Sequence, residues 1–256
     1  MNTLAVAAPL GAALLALDHV VTPALRFLDG SPRSAWLSGA GGVSVAYVFV
    51  HFLPELAVGE REVGRVAGGG VAFAERHVYL IALAGLLAFY GLDRLAKTSR
   101  SRRRGAPVGD GCGAEAAAEA GTGQWVFRIH MGSFAVYNAL VGYLLLHREV
   151  MAPAALAFFV VAMALHFVVT DYGLNEDHKA AYRRVGRWVL VAAVLAGWAL
   201  GAATEVSGAA IAALTAFLGG GVVLNVLKEE VPSERQSRFW AFALGAGAYA
   251  ALLLAL

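Results

Sequence analysis

GGVSVAYVFVHFLPE, residues 41–55, and GGGVVLNVLKEEVPSE, residues 219–234, follow one plan. Each opens on a glycine pair inside an apolar run and reaches a proline, Pro54 or Pro232, twelve residues after the second glycine. In this register Tyr47 falls on Asn225 and His51 on Glu229. Beyond the prolines, Glu75-Arg76 and Glu234-Arg235 each precede another apolar run, where Ala82, Ala84 and Tyr90 fall on Ala241, Ala243 and Tyr249. The two copies are expected to cross a membrane in opposite senses. Inverted repeats of this kind build the central substrate site of many secondary transporters.

Composition sets the class around that repeat. The 256 residues are 59% hydrophobic and 15% charged, which is the balance of a membrane protein. A bilayer core takes about 20 apolar residues per helix. Eight such runs fit, near 3–25, 35–57, 76–96, 124–146, 152–172, 185–203, 206–227 and 239–256. No strand-like alternation appears, and lipid admits only helices or closed barrels. The expected fold is an all-α membrane protein with eight transmembrane helices, an inverted 3+2+3 repeat and both termini outside. It forms a single transmembrane domain over 1–256. The first run lacks a basic leader and a small-residue cleavage site, so it reads as a retained helix. The single Cys112 excludes an internal disulfide.

Orientation follows from the basic residues. With the N-terminus outside, 16 of the 20 Lys and Arg residues fall on cytoplasmic segments, and Arg61, Arg65, Arg76 and Arg148 are the exceptions. Trp36, Trp125, Trp188 and Trp240 open four alternate runs at the inner interface, where an amphipathic ring is favoured. Segment 97–123 reads as a flexible cytoplasmic loop, basic at first and then rich in Ala, Gly and Glu. Its arginines suit anionic headgroups of the bilayer and need no nucleic-acid partner. The Ala/Gly/Arg-rich composition suits a prokaryotic plasma (inner) membrane.

An ionisable side chain inside a membrane helix costs about 2.5–3.5 kcal/mol on insertion scales, so each one calls for a reason. The runs hold Asp18 and His19, His51 and Glu55, His130 with Tyr137 and Asn138, His166 and Asp171, and Asn225 ahead of Glu229 and Glu230. Counting from the expected helix ends puts His130 and His166 at one depth on consecutive helices. Asp18, His19 and Asn225 are expected on the same inner half, with His51 and Glu55 near the outer end. Ser44, Tyr47, His51 and Glu55 form one stripe, and His166 shares a face with Thr170 while Asp171 is turned away. Imidazole with carboxylate suits a transition metal.

The phrase VFVHFLPEL, residues 48–56, resembles the second helix of the zinc/iron permease (ZIP) family of divalent metal transporters, where a His-Leu-Leu-Pro-Glu run follows a small-residue helix. LNVLKEEVP, residues 224–232, is similar to that family's penultimate helix, with Glu229 in the place of the acid three residues before a proline. The resemblance implies eight helices, a variable cytoplasmic loop after the third, a homodimer, and metal ligands on the fourth and fifth helices. Two of its motifs are incomplete here. His130-Met131-Gly132-Ser133-Phe134-Ala135 keeps only the histidine of the family's His-Asn-x-x-Asp/Glu-Gly. His166 is followed by Asp171 one place beyond the family's acid.

The expected function is therefore transport of divalent metal cations, zinc by default, with no catalytic chemistry. Zn2+ would bind between His130 and His166, with further ligands from Asp18, His19, Asp171 or Asn225. His51 and Glu55 would serve the outer approach. Glu229, Glu230 and the Asn175–His178 stretch would receive ions inside. Two alternatives stay open: a ZIP-like scaffold that carries another solute or none, and an intramembrane zinc-dependent lipid hydrolase.

Overall fold

The computed structural model describes residues 3–28, 34–66, 77–104, 114–147, 153–226, 228 and 238–255. Nearly all of these are helical, and none is in a strand. The helices are α1 (Thr3–Val21), α2 (Ala35–Tyr47), α3 (Leu53–Val66), α4 (His77–Arg104), α5 (Ala114–Leu144), α6 (Pro153–Ala181), α7 (Arg187–Ala203), α8 (Gly208–Asn225) and α9 (Phe239–Leu254). Each of the eight apolar runs carries helix. Five stretches are long and apolar enough to cross a bilayer: Val6–Ala24, Ala35–Arg61, His77–Leu95, Pro153–Ala203 and Gly208–Asn225. Leu10, Leu14, Leu17 and Val21 form an exposed stripe along α1, and Leu80, Leu83 and Leu87 another on α4. Apolar faces of that extent belong against lipid. The chain is a membrane-embedded helical protein.

Local chemistry sets the ends and bends. α1 stops at Val21 and gives way to a tight turn, Thr22–Ala24, because Pro23 cannot continue the ladder. Ser34 caps α2 by accepting from Leu37 N at 3.2 Å. Ser207 caps α8 in the same way through Ala210 N. α2 passes into α3 through a π turn, Val48–Phe52, just ahead of Pro54. Proline removes one i→i−4 bond and crowds the carbonyl four residues back, so the ladder opens there. Val226 and Lys228, directly after α8, are also π-helical. In the sequence register they correspond to Val48 and Val50.

Two boundaries differ from expectation. α6 runs past 172 and breaks at Lys179, whose φ of 33° is the single positive value at a non-glycine residue among those described. Lys179 therefore divides the 51-residue apolar stretch Pro153–Ala203 into two helical arms. Helix also enters the expected loop 97–123 from both sides, α4 reaching Arg104 and α5 starting at Ala114. Lys, Arg, Ala and Glu are strong helix formers, and here their propensity outweighs their polarity.

Three helix pairs cross backbone to backbone on reciprocal glycines. Gly42 of α2 lies against the Phe242 carbonyl of α9, and Gly245 of α9 against the Gly39 carbonyl of α2. Gly220 of α8 meets the Ala82 carbonyl of α4, and Gly85 of α4 meets the Phe217 carbonyl of α8. Gly142 of α5 meets the Val194 carbonyl of α7, and Gly197 of α7 the Ala139 carbonyl of α5. Small residues allow this approach, and the glycine Cα–H groups gain carbonyl acceptors. The first two crossings superpose in sequence, Gly42 on Gly220 and Gly39 on Phe217. They pair Ala82 with Phe242, one residue along from the Ala82–Ala241 match.

α9 is also tied to α6, since the Tyr249 hydroxyl donates to the Phe158 carbonyl at 2.6 Å. Tyr249→Phe is expected to cost about 1 kcal/mol, read as a modest fall in Tm in detergent.

Candidate functional site

A buried polar cluster joins α1, α5 and α6. Asp18 and His19 occupy the last turn of α1, where the helix end favours a cationic ring. His19 Nδ1 stands 2.7 Å from Asp171 Oδ2 on α6, and its Nε2 stands 2.8 Å from Asn138 Oδ1 on α5. His19, Asn138 and Asp171 are 1%, 2% and 0% exposed. The amide of Asn138 donates through Nδ2 to the Phe134 carbonyl at 2.8 Å, so its oxygen is the atom turned to His19. His19 Nε2 therefore carries a hydrogen and donates it. The Nδ1–Oδ2 contact shares one proton between ring and carboxyl. Phe167 stacks on the imidazole at 4.8 Å between ring centres and closes the fourth side.

Two carboxyl groups gather on one imidazole in this cluster. Asp18 lies within Coulombic reach of both Asp171 and His19. Asp18 Oδ2 and Asp171 Oδ1 are buried and take no hydrogen bond among the described residues. Tyr182, on the π turn Tyr182–Gly186, brings its hydroxyl beside Asp171 as a potential donor to that carboxylate. Were both carboxylates ionised against one imidazolium, the cluster would hold a net negative charge that a proton or a cation would offset. A buried carboxylate oxygen without a partner is costly unless a cation or proton meets it.

The other expected ligands are distributed over the bundle. His51 Nε2 lies 3.9 Å from Glu55 Oε2, and the Tyr47 ring lies 5.2 Å from that of His51, so the stripe on α2 and α3 survives the π turn. Tyr47 and Glu55 border a cavity of about 20 Å³ with Phe52, Phe159 and Met163. That is space for roughly one water. His166 is buried against Tyr137, with ring centres 5.9 Å apart. His130 does not face His166. Its Nδ1 meets His178 Nε2 at 3.0 Å. His178 is twelve residues beyond His166 on α6, about 18 Å along the axis. The expected common depth fails because α6 continues to Lys179 instead of ending near 172. Asn225 is buried on α8, its Nδ2 without a partner among the described residues. Glu229 and Glu230 lie outside the described residues.

Asp171 is turned away from the His166 face, as spacing along α6 requires, and that turn directs it to His19 on α1. Asn138 and Tyr182 complete the cluster. Asn138 has a sequence signal, an amide in an otherwise apolar helix. Tyr182 has none, since a tyrosine near a helix end is usually interfacial.

No group of three or more His, Cys, Asp or Glu among the described residues has metal-holding geometry. No protein-family model matches the chain, and no curated protein matches it.

Proposed function

We propose that the chain is a ZIP-like transporter of divalent metal cations, zinc first, whose central ion site is Asp18 with Asp171 beside His19. The observation that carries this reading is that two carboxylates gather on one imidazole, with Asp18 Oδ2 and Asp171 Oδ1 buried and without hydrogen bonds among the described residues. Intramembrane ionisable groups that face the bundle interior mark ion pathways and proton relays. His166 and His130 are secondary sites along the path, and His51 with Glu55 guards its other end.

The architecture proposed with it has eight spans, both termini outside and an inverted repeat of the first three spans by the last three. Two matches support the repeat: the glycine crossings of α2 with α9 and of α8 with α4 use corresponding residues, and π turns begin at Val48 and at Val226. The basic segments support the orientation. A homodimer and a prokaryotic inner membrane complete the reading.

A second reading, a ZIP-like scaffold that moves another solute or none, is favoured by one observation. Both ring nitrogens of His19 are already held by protein partners. Zinc binding to chelator-stripped protein separates the two. Wild type is expected to bind zinc stoichiometrically, and Asp18→Asn, which leaves the His19–Asp171 contact in place, to weaken binding by about tenfold or more. No binding by wild type overturns the metal reading. Full binding by Asp18→Asn, with loss in His130→Ala or in His166→Ala alone, moves the site to that histidine.

A further inference from the structure

The turn from α6 into α7 borders a basic cavity apart from the proposed ion site. Pro23, Ala24 and Arg26, from the turns after α1, line a space of about 460 Å³ with Arg183 and Arg187. Three guanidinium groups from two distant parts of the chain thus converge on one opening. No carboxylate among the described residues lines it. Arg183 is fixed in place by donating from Nε to Asn175 Oδ1 at 2.8 Å. Arg187 lies over the Trp188 ring, 5.1 Å from its centre, and its Nε is buried without a hydrogen-bond partner among the described residues.

Like charges on one rim repel, and an anion among them relieves that repulsion. Planar guanidinium groups pair with phosphate oxygens through two parallel hydrogen bonds, which a carbonyl or a water does not match. The surroundings mark the level of the headgroups. Trp188 is half exposed beside Arg187, and the exposed Trp36 packs edge-on against Phe27, the neighbour of Arg26, at 6.4 Å. Amphipathic rings concentrate at that depth of a bilayer.

We propose that the Arg26–Arg183–Arg187 cavity binds a phosphate-bearing anion, supplied by the headgroup of an anionic phospholipid or by free phosphate. The site ties the end of α1 to the α6–α7 turn, and it stands whether or not the chain moves metal.

The test is thermal unfolding of the purified full chain in neutral detergent, with phosphatidylglycerol, phosphatidylcholine or inorganic phosphate added. Phosphatidylglycerol is expected to raise the Tm of wild type by several degrees, and phosphatidylcholine to leave it unchanged. The rise should vanish in Arg183→Gln/Arg187→Gln, shrink in Arg26→Gln and persist in Arg128→Gln, an exposed arginine outside the cavity lining. A rise with phosphatidylglycerol alone assigns the lipid, and an equal rise with phosphate assigns the free anion. No rise with either overturns the site. So does a rise that the double variant keeps, or one that Arg128→Gln loses equally. Should the double variant not fold, Arg26→Gln on its exposed turn decides the matter: a smaller rise supports the site, and an undiminished one overturns it.

Discussion

Asp171→Leu is expected to lower stability by about 3–5 kcal/mol, because it strands the His19 ring in a buried site. His19→Leu should cost a similar amount by stranding the carboxylate. The double replacement His19→Leu/Asp171→Leu should cost clearly less than the two single losses together, since it removes both charges at once. Thermal unfolding in detergent reads all three, and each single variant should fall by roughly 10 °C at the scale of a chain this long. Additive losses would show that the 2.7 Å contact carries no coupling, and the ion-pair account of the cluster would be wrong. Asn138→Leu extends the series. It removes the acceptor of His19 Nε2 and should cost about 1–3 kcal/mol by itself.

The second large effect concerns the crossings, where the sign of a glycine-to-alanine change should depend on position. A Cβ at Gly142 would overlap the Val194 carbonyl, and one at Gly197 the Ala139 carbonyl. Neither neighbour can yield without moving a whole helix. Each alanine variant should lose about 1–3 kcal/mol. Gly142→Leu should not yield folded protein. Gly132 and Gly247 have nothing within 4 Å of the same position, so alanine there should be neutral or stabilising by about 0.5–1 kcal/mol. Melting curves for the four alanine variants settle it. Equal behaviour at all four would mean that the pairs are held by something other than close backbone contact.

Much of the fold is legible in the sequence because a bilayer imposes a length on apolar runs. All eight runs carry helix, and the matching pairs Gly41-Gly42 and Gly219-Gly220 mark where α2 and α8 are crossed. The helix ends are less legible. Hydropathy marks where apolar sequence stops, not where the ladder stops, so Asn175–His178 reads as loop although α6 carries through it to Lys179. That one difference separates His166 from His130 and brings His130 to His178. In the sequence the central cluster is visible only as separate polar residues. Face arithmetic along α6 is sound for Asp171, yet it names the direction a side chain leaves and not the helix it meets. His19 stands 152 residues away in sequence, a distance over which periodicity says nothing. The cavity arginines look like topology signals alone, which is what arginines at helix ends usually are.

Where two helices touch through glycine, no side chain stands between them to change rotamer, and sliding would drive carbonyl oxygens into Cα atoms. α2 with α9, α4 with α8, and α5 with α7 therefore behave mechanically as three rigid girders. The seam between the α4–α8 and α5–α7 girders is padded by Phe89 and Tyr137, and Tyr47 of α2 meets Phe159 of α6, rings that can re-pack at small cost. Motion of one girder against another would run along such aromatic contacts, with its helices moving two at a time.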